Sequence, residues 1–476
     1  MTLKSTRRTF LKQAAVAGAI GPMVLSSAAR AGAGTGRKLR HAAIGVGRRG
    51  EADLLCISSH PDTEIVALCD VDQTFLKAAA KLHPGARLYR DWRVMLEKEH
   101  DNIDSINATV PNHMHAPIAL TAMRMDKHVY CQKPLTHSLY ESRRLAEEAA
   151  KRPELVTQMG VQTHSGIHYR RAAAMVQFGV IGKIKEAHSW DIVRYYYTGA
   201  FSDPPTERRP DRADAVPDYL DWDLWLGVAP ERPYVEDYYH TRWWRRWRDF
   251  GGGAQGDMGG HMMDAVFDAL ELTAPKWITS FRSPPFEETF SPNNKLQYRF
   301  PGTKYTTGDI DYFWYDTGPV DAKDWPINMK KLSGDGSMLV GEKGYMYLPH
   351  GKPAVVLPQE DTRDAVKRFE QEVDLGIDVK HYEQFGKPKP MQLGHITDLA
   401  HYHQFVDACL GKGKTSTPFG YAGNLTESVL MNTIVNRFPG EKLVWDAKAL
   451  QFTNKPEANQ YLRRDYREGW RVEGLG

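Results

Sequence analysis

The sequence is poor in cysteine and contains no apolar run long enough to cross a membrane. Its four cysteines form no C-x-x-C pair, being scattered at Cys56, Cys69, Cys131 and Cys409. This spacing favours buried free thiols over a disulfide framework or a zinc site. The most apolar N-terminal stretch, residues 14–25, has about 12 residues, which is too short for a bilayer. The protein is therefore not expected to span a membrane.

The sequence also lacks a strong excess of charge of either sign. It has 62 Lys and Arg against 59 Asp and Glu, and the first 31 residues hold basic but no acidic side chains. The rest of the chain is close to neutral, so no nucleic-acid surface is expected. No internal repeat or low-complexity tract occurs. A length of 476 residues is too great for one ordinary core and predicts two domains.

A glycine fingerprint follows the first predicted strand. Residues 39–44 read as a strand, residues 51–60 as a helix and residues 63–69 as a second strand. Between the first two lies G-x-G-x-x-G, made by Gly45, Gly47 and Gly50, and Asp70 ends the second strand. The glycines allow a tight turn, close approach to a pyrophosphate and close helix packing, and the acid can bind a ribose. An incidental glycine loop is the alternative. The complete setting predicts dinucleotide binding.

The acid after the second strand also bears on which dinucleotide binds. A carboxylate at Asp70 repels a 2′-phosphate, so NAD is favoured over NADP. The neighbouring Arg48 and Arg49 keep NADP open, because a loop arginine can reach a phosphate.

Strand and helix patterns alternate as far as residue 160 and then change character. The first part predicts a doubly wound parallel sheet, and the later strands predict a largely antiparallel one. We therefore expect an α/β protein with an N-terminal Rossmann domain at residues 38–160. A C-terminal α/β domain with a large, mostly antiparallel open sheet is expected at residues 161–450, and a tail at residues 451–476.

Residues 1–31 have the features of a twin-arginine signal peptide. Arg7 and Arg8 precede the weakly apolar run, and Ala29-Arg30-Ala31 resembles a cleavage site. The expected location is the periplasm. A disordered basic N-terminus and an uncleaved anchor are the alternatives. Because this route exports folded proteins, we expect a tightly held nucleotide that is loaded before export and recycled in place.

Three residues have the chemistry of alcohol oxidation. Lys133 follows the fifth predicted strand, and Asp257 and His261 share one face of a helix predicted over residues 257–272. A histidine can accept the hydroxyl proton while a neighbouring carboxylate orients its ring, and a lysine can stabilise the alkoxide charge. Each residue alone is more often structural, and Asp257 could simply cap the helix.

The chain resembles the Gfo/Idh/MocA family, which includes glucose–fructose oxidoreductase and inositol dehydrogenase. Besides the fingerprint, the resemblance rests on Val110-Pro111-Asn112-His113-Met114-His115, Gln132-Lys133-Pro134 and Gly256-Asp257-Met258-Gly259-Gly260-His261. It covers roughly residues 38–470. It implies that Lys133, Asp257 and His261 are catalytic. It also implies that the nicotinamide end is contacted by the turn at Pro111 and by Asn112, His115, Gln132 and Gln162. Gln132 departs from the family pattern, which has glutamate, and the leader resembles an exported subgroup that acts on sugars and glycosides.

Several other residues are candidates for substrate or metal contacts. His113 with His115, His164 with His168, and His401 with His403 have metal-compatible spacing, but no further acid or thiol joins them, so no metal is expected. His164 is expected to contact substrate in the crevice. Trp244, in the Arg- and Trp-rich segment 242–248, is expected to form a sugar-stacking wall. A subunit contact, a nucleic-acid patch and a plain surface loop are the alternatives for that segment.

The sequence thus predicts an NAD-dependent oxidoreductase that acts on a secondary hydroxyl of a sugar, polyol or glycoside. An NAD-dependent glycoside hydrolase needs the same base and cofactor and stays open. A non-catalytic sugar-binding protein is a third possibility. By analogy with the fold, a homo-oligomer (a dimer or tetramer) is expected.

Overall fold

The computed structural model describes residues 36–192, 208–284, 286–290, 293–318, 325–327, 332–376, 379–384 and 398–476. The predicted leader at residues 1–31 lies outside these ranges. Within them the chain forms two sheets, one of six strands and one of nine. No helix in these ranges combines the length and apolar composition that crossing a membrane requires.

The first sheet is parallel throughout, with strands in the order β3-β2-β1-β4-β5-β6. Its strands are β1 Leu39–Ile44, β2 Thr63–Cys69, β3 Arg87–Tyr89, β4 Ser105–Ala108, β5 His128–Gln132 and β6 Thr157–Gly160. The helices between them are α1 Arg49–Ser58, α2 Gln73–Leu82, α3 Trp92–Lys98, α4 His115–Arg124 and α5 Leu139–Lys151. Every residue of β4 is buried, as a strand covered by helices on both faces requires. The strand order reverses between β1 and β4, which is where open α/β sheets bind ligands.

The second sheet has the order β13-β12-β11-β7-β10-β9-β8-β14-β15, and β7 and β10 are its parallel neighbours. Its strands are β7 Ile184–Asp191, β8 Trp277–Ser280, β9 Lys295–Phe300, β10 Thr306–Tyr315, β11 Asp335–Gly341, β12 Tyr345–Pro349, β13 Val355–Leu357, β14 Lys442–Asp446 and β15 Gln451–Phe452. Burial alternates residue by residue along β9, as expected for a strand with one face on the core.

The remaining helices join the two sheets through a shared core. They are α6 Ile167–Phe178, α7 Trp222–Leu226, α8 Gly260–Leu270, α9 Gln359–Glu372, α10 Val379–Glu383, α11 Leu399–Cys409, α12 Phe419–Leu430 and α13 Asn432–Val435. Helix α11 packs on α1, α12 packs on α5, and α8 packs on β7 and β11. One apolar cluster runs from Ile106 in the first sheet through Met263 in α8 to Tyr312 in the second. The two sheets are therefore held together by buried apolar contacts at the place where the candidate site lies.

The structure confirms the predicted fold class and the four buried free cysteines. One predicted helix is different: residues 255–259 form a π-helical turn, and the α-helix proper begins at Gly260. The predicted tail packs against the first domain, where the Tyr466 hydroxyl donates to Glu141 at 2.7 Å. The domain boundaries remain predictions.

Candidate active site

The glycine fingerprint forms a tight loop between β1 and α1. Gly45 has φ +80°, and a Cβ there would lie 2.1 Å from the carbonyl oxygen of Thr109. A Cβ at Gly50 would lie 2.1 Å from the carbonyl oxygen of Gly45, so helix and loop pack too closely for a side chain. At Gly47 a Cβ would meet the ring of Phe75 at 2.3 Å. The three glycines thus keep side chains out of the closest contacts at the N-terminus of α1, where free N–H groups can stabilise a diphosphate.

Asp70 lies beside this loop at the carboxyl end of β2. Its carboxylate accepts hydrogen bonds from the backbone N–H groups of Val46 and Asp72, at 2.8 and 2.9 Å. Burial raises the pKa of Asp70 to about 6, against the lowering effect of these two bonds. The acid therefore holds the fingerprint loop, and the free lone pairs of its oxygens suit ribose hydroxyls. Loop and acid together fit a dinucleotide.

The two loop arginines have different environments. Arg48 is exposed at the N-terminus of α1 with φ 56°. Arg49 turns inward, where its Nε donates to Asp53 at 3.0 Å and its guanidinium donates to the hydroxyl of Tyr402. Of the two arginines, Arg48 is the more exposed, while the Arg49 side chain is 34% exposed and paired with Asp53.

The loop after β4 is fastened to the loop after β5. Pro111 precedes a short 3-10 turn, Asn112–Met114, and Asn112 is buried. The ring nitrogens of His115 lie 2.8 Å from the carbonyl oxygen of Val110 and 2.7 Å from that of Pro134. Burial lowers the pKa of His115 to about 4, against the raising effect of the two carbonyl contacts. The resemblance implies that His115 lies near the nicotinamide ribose, which stays a prediction; in the structure its ring lies between the two loops, with both nitrogens facing backbone carbonyls.

Lys133 and Asp257 meet at the carboxyl edge of the parallel sheet. The Lys133 ammonium donates to Oδ1 of Asp257 and to its backbone carbonyl, both at 2.6 Å. The other oxygen of Asp257 pairs with Nε of Arg245 at 3.2 Å. Both members of the lysine pair are nearly buried, with side chains 13% and 12% exposed. The carboxylate is directed at the lysine, whereas the sequence had placed it beside the histidine ring.

His261 lies one turn further, in the first turn of α8. Burial lowers the pKa of His261 well below its usual range, and electrostatic interactions with Lys133, His350 and Arg49 lower it further. Its ring lies 5.4 Å from that of His350, and its Nδ1 is buried without a hydrogen-bond partner among the described residues. The imidazole is thus neutral near pH 7 and retains a nitrogen able to exchange a proton.

His164 and Gln162 share a 3-10 turn after β6. Nδ1 of His164 lies 2.9 Å from both carboxylate oxygens of Asp264, which also accepts from the Tyr421 hydroxyl at 2.8 Å. Burial alone would lower the pKa of His164, but the Asp264 carboxylate outweighs it and the pKa is raised. Gln162 is buried and donates to the hydroxyl of Tyr130 at 2.9 Å. Asp264 was missed in the sequence, although it follows His261 by three positions on one helix face.

The Arg- and Trp-rich segment is a packed part of the protein. Trp244 is 6% exposed within an aromatic cluster that includes Trp225 and Phe250. Arg245, whose guanidinium lies 4.3 Å from the Trp244 ring centre, carries the ion pair to Asp257. The Trp244 ring is therefore packed against other rings, and its role as a sugar-stacking wall stays a prediction. Sequence reasoning missed the ion pair that its neighbour Arg245 makes with Asp257.

The remaining histidine pairs have structural partners. His113 contacts the carbonyl oxygen of Trp225 at 3.2 Å, and His401 lies between Ser165 and the carbonyl oxygen of Met159, at 2.9 and 3.0 Å. Across the part of the chain that is described, no group of three or more histidine, cysteine or acidic residues is arranged to hold a metal ion.

Two parts of the chain match models of a known protein family. Residues 39–160 match a family model described as "Oxidoreductase family, NAD-binding Rossmann fold", and residues 205–278 match its "C-terminal alpha/beta domain". Inositol 2-dehydrogenase of Salmonella paratyphi B is 25% identical over 152 residues, covering 32% of this chain and 45% of that protein. A glycosyl hydrolase family 109 protein of Shewanella woodyi is 29% identical over 154 residues, covering 30% and 32%. The chain thus spans less than half the length of these curated relatives.

A solved structure extends the likeness over the whole fold. The WlbA dehydrogenase of Bordetella pertussis, in complex with NADH and UDP-GlcNAcA, superimposes with a TM-score of 0.55 at 16% identity. The match covers 86% of this chain and 98% of that one. The N-terminal unit thus matches an NAD-binding Rossmann model of this oxidoreductase family, and the solved structure shows that the likeness of fold extends to the second domain.

Proposed function

We propose that the protein is an NAD-dependent oxidoreductase acting on a secondary hydroxyl of a sugar, polyol or glycoside. The observation that carries the proposal is the neutral His261, with its unpartnered Nδ1, beside the buried pair of Lys133 and Asp257. Bound NAD supplies the hydride acceptor or donor. The protein must supply the proton transfer, the charge stabilisation and the orientation of the substrate.

His261 is suited to accept the proton of the reacting hydroxyl. A base must be unprotonated before the reaction, and burial together with the charge of Lys133 keeps this imidazole neutral. The same cation stabilises the oxygen that becomes negative as the proton leaves. General base catalysis of this kind is worth about 10²–10⁴ in rate.

Asp257 and Arg245 act on the lysine. Burial lowers the pKa of Lys133, and the carboxylate of Asp257 opposes that effect and keeps the ammonium charged. Because the carboxylate accepts from Lys133 and pairs with Arg245, it is held on two sides and fixes the direction of the ammonium. We therefore assign Asp257 to orienting Lys133.

His164, with its ring held by the buried Asp264, provides a polar group for a substrate hydroxyl. Sugars and polyols present several hydroxyls, and their recognition needs donors and acceptors on more than one side of the reacting carbon. The relatives named for inositol and for glycosides support this substrate class. The test is a screen of sugars, polyols and nitrophenyl glycosides for reduction of NAD. The proposal predicts NADH formation that His261→Ala abolishes, and bound NAD that no carbohydrate reduces would instead indicate a sugar-binding protein.

A second candidate function is glycoside cleavage with the same cofactor. The specific observation is that two histidines beside α8 have opposite pKa shifts, lowered at His261 and raised at His164. Such a pair suits a base and an acid, and a protonated His164 could donate to a leaving-group oxygen. Aglycone release without net NADH would favour this function. His164→Asn should then reduce the rate of aglycone release more than it reduces the rate of free-sugar oxidation.

We also propose export by the twin-arginine route, a periplasmic location and assembly into a dimer or tetramer. The first two rest on residues 1–31, and replacing Arg7 and Arg8 by lysine should retain the protein in the cytoplasm. Light scattering of the purified protein tests the oligomer. A monomer would contradict that part of the proposal.

A further inference from the structure

A buried carboxylate that the proposed reaction does not use lies directly behind the glycine loop. Asp53, in α1, is 0% exposed. Its Oδ1 accepts from Nε of Arg49 at 3.0 Å and from the Tyr402 hydroxyl at 2.8 Å. Its Oδ2 accepts from the Thr109 hydroxyl at 2.8 Å and from Nε2 of Gln132 at 2.7 Å. Four donors thus compensate the burial of one negative charge.

This arrangement fixes the orientation of the Gln132 amide. An ionised carboxylate only accepts hydrogen bonds, so Gln132 must direct its NH₂ group to Asp53. Its Oε1 is then left facing the backbone N–H of Lys133, from which it accepts at 3.3 Å. Gly160 packs against the amide so closely that a Cβ there would lie 2.7 Å away, which restricts rotation of the side chain.

The same contact explains why residue 132 is an amide. A glutamate there would place a second carboxylate against Asp53, at the 2.7 Å that now separates donor and acceptor. Two such carboxylates cannot both ionise without a large cost, so one would hold a proton. In the pair of Asp53 and Gln132 the negative charge is therefore on Asp53, in α1. An acid at position 53 favours an amide at position 132.

We propose that Asp53 is a positioning residue for the nicotinamide end of the cofactor site, acting through Gln132. It sets which face of the Gln132 amide is presented to the cofactor, and it fixes the backbone that carries Lys133. Tyr402 connects this carboxylate to α11, and Arg49 connects it to the fingerprint loop. One buried charge therefore links both elements to Gln132. The inference rests on the proposed NAD-dependent reaction.

A charge exchange tests this role in the full-length protein. Asp53→Asn leaves two amides facing each other, Gln132→Glu leaves two carboxylates, and the double variant restores one of each with the charge on the other side. In the double variant the Thr109 hydroxyl can rotate to accept from Asn, because a hydroxyl both donates and accepts. Each single variant should weaken NADH binding at least about tenfold, and the double variant should recover to within about threefold of the parent.

The readout is NADH affinity from a fluorescence titration, with the thermal midpoint measured on the same samples. Affinity needs no substrate, so the test stands even if the screen finds no turnover and the proposed function fails. Glu427→Gln is the matched control. Glu427 is also a buried carboxylate, and it accepts two hydrogen bonds from Arg143, of 2.8 and 2.9 Å, on a helix that is not part of the glycine loop. This variant should lower the thermal midpoint without changing NADH affinity.

Three outcomes would overturn the proposal. The first is that Asp53→Asn binds NADH within about threefold of the parent. The second is that the double variant binds NADH no better than the weaker single variant. The third is that the double variant regains its thermal midpoint without regaining NADH affinity, which would indicate that Asp53 has a structural role only. If Asp53→Asn does not fold, the comparison of Gln132→Glu with the double variant decides in the same way.

Discussion

The buried pair of Lys133 and Asp257 makes the replacement Asp257→Asn informative. The carboxylate lies 2.6 Å from the ammonium and 3.2 Å from Nε of Arg245, so the amide leaves two cations facing each other without the anion. Breaking a buried ion pair by removing one partner costs about 3–5 kcal/mol. Since 12% of the Asp257 side chain is still exposed, we expect a loss near the lower end, about 3 kcal/mol, in the free energy of unfolding.

The same replacement should change how turnover depends on pH. Asp257 opposes the lowering of the Lys133 pKa by burial and by Arg245. Without the carboxylate the pKa falls further, and the charged ammonium is lost at a lower pH as the pH rises. The alkaline limb of the rate profile should therefore move to lower pH. Misplacement of the ammonium should also reduce kcat about 10²-fold.

Chemical denaturation and a pH series of kcat measure both effects. Asp309→Asn is the control, because Asp309 pairs with Lys276 at the same 2.6 Å but at the surface, where the lysine is 52% exposed. An exposed pair contributes little to stability, so this variant should behave like the parent. If Asp257→Asn unfolds like the control and keeps the parent pH profile, the assigned role of the buried pair is wrong.

Four further changes test other parts of the account. Arg245→Gln should lower kcat about tenfold with NADH affinity unchanged, because it removes one of the two cations that hold the Asp257 carboxylate; an equal loss of affinity would contradict this. Trp244→Ala should lower the free energy of unfolding by about 3 kcal/mol, as expected for a core ring, and a change confined to the substrate KM would support the sugar-wall interpretation. Burial lowers the pKa of His401 from 6.5 to about 3, so the unfolded chain binds a proton there that the native state lacks. Stability should fall by about 1.4 kcal/mol for each pH unit of acidification in that window, and denaturation of His401→Gln across pH should show a shallower slope. Asp70→Ala should shift the ratio of NAD to NADP affinity about tenfold towards NADP, and an unchanged ratio in titrations would place the selectivity elsewhere.

Much of the fold could be predicted because its signals are local. The fingerprint glycines, the buried strand before Asn112 and the helix that carries His261 each occupy a short stretch with a recognisable period or turn residue. From the order of those local elements the sequence predicts a parallel sheet followed by a largely antiparallel one, and the structure confirms this order. The position of Lys133 at the crevice could also be predicted, because it follows a parallel strand, whereas its meeting with Asp257 was implied only by the family resemblance.

The rest of the site depends on pairing between distant residues, which no local pattern carries. Tyr402 reaches Asp53 across 349 positions in the chain, and nothing near either residue indicates the partner. The packing of Trp244 could not be predicted, because an Arg- and Trp-rich segment has the same composition whether it is exposed or packed in a core. Its burial depends on rings from separate segments, including Trp225 and Phe250. The π-helical start of the His261 helix was missed for a similar reason, since glycines allow such a turn but tertiary packing selects it.

The most direct test of the central claim is hydride transfer by His261→Ala, measured in a single turnover with NAD already bound. The account predicts a rate lower by about 10²–10⁴ with NADH affinity unchanged, because the imidazole accepts the substrate proton and does not hold the nucleotide. An unchanged rate of hydride transfer would contradict it.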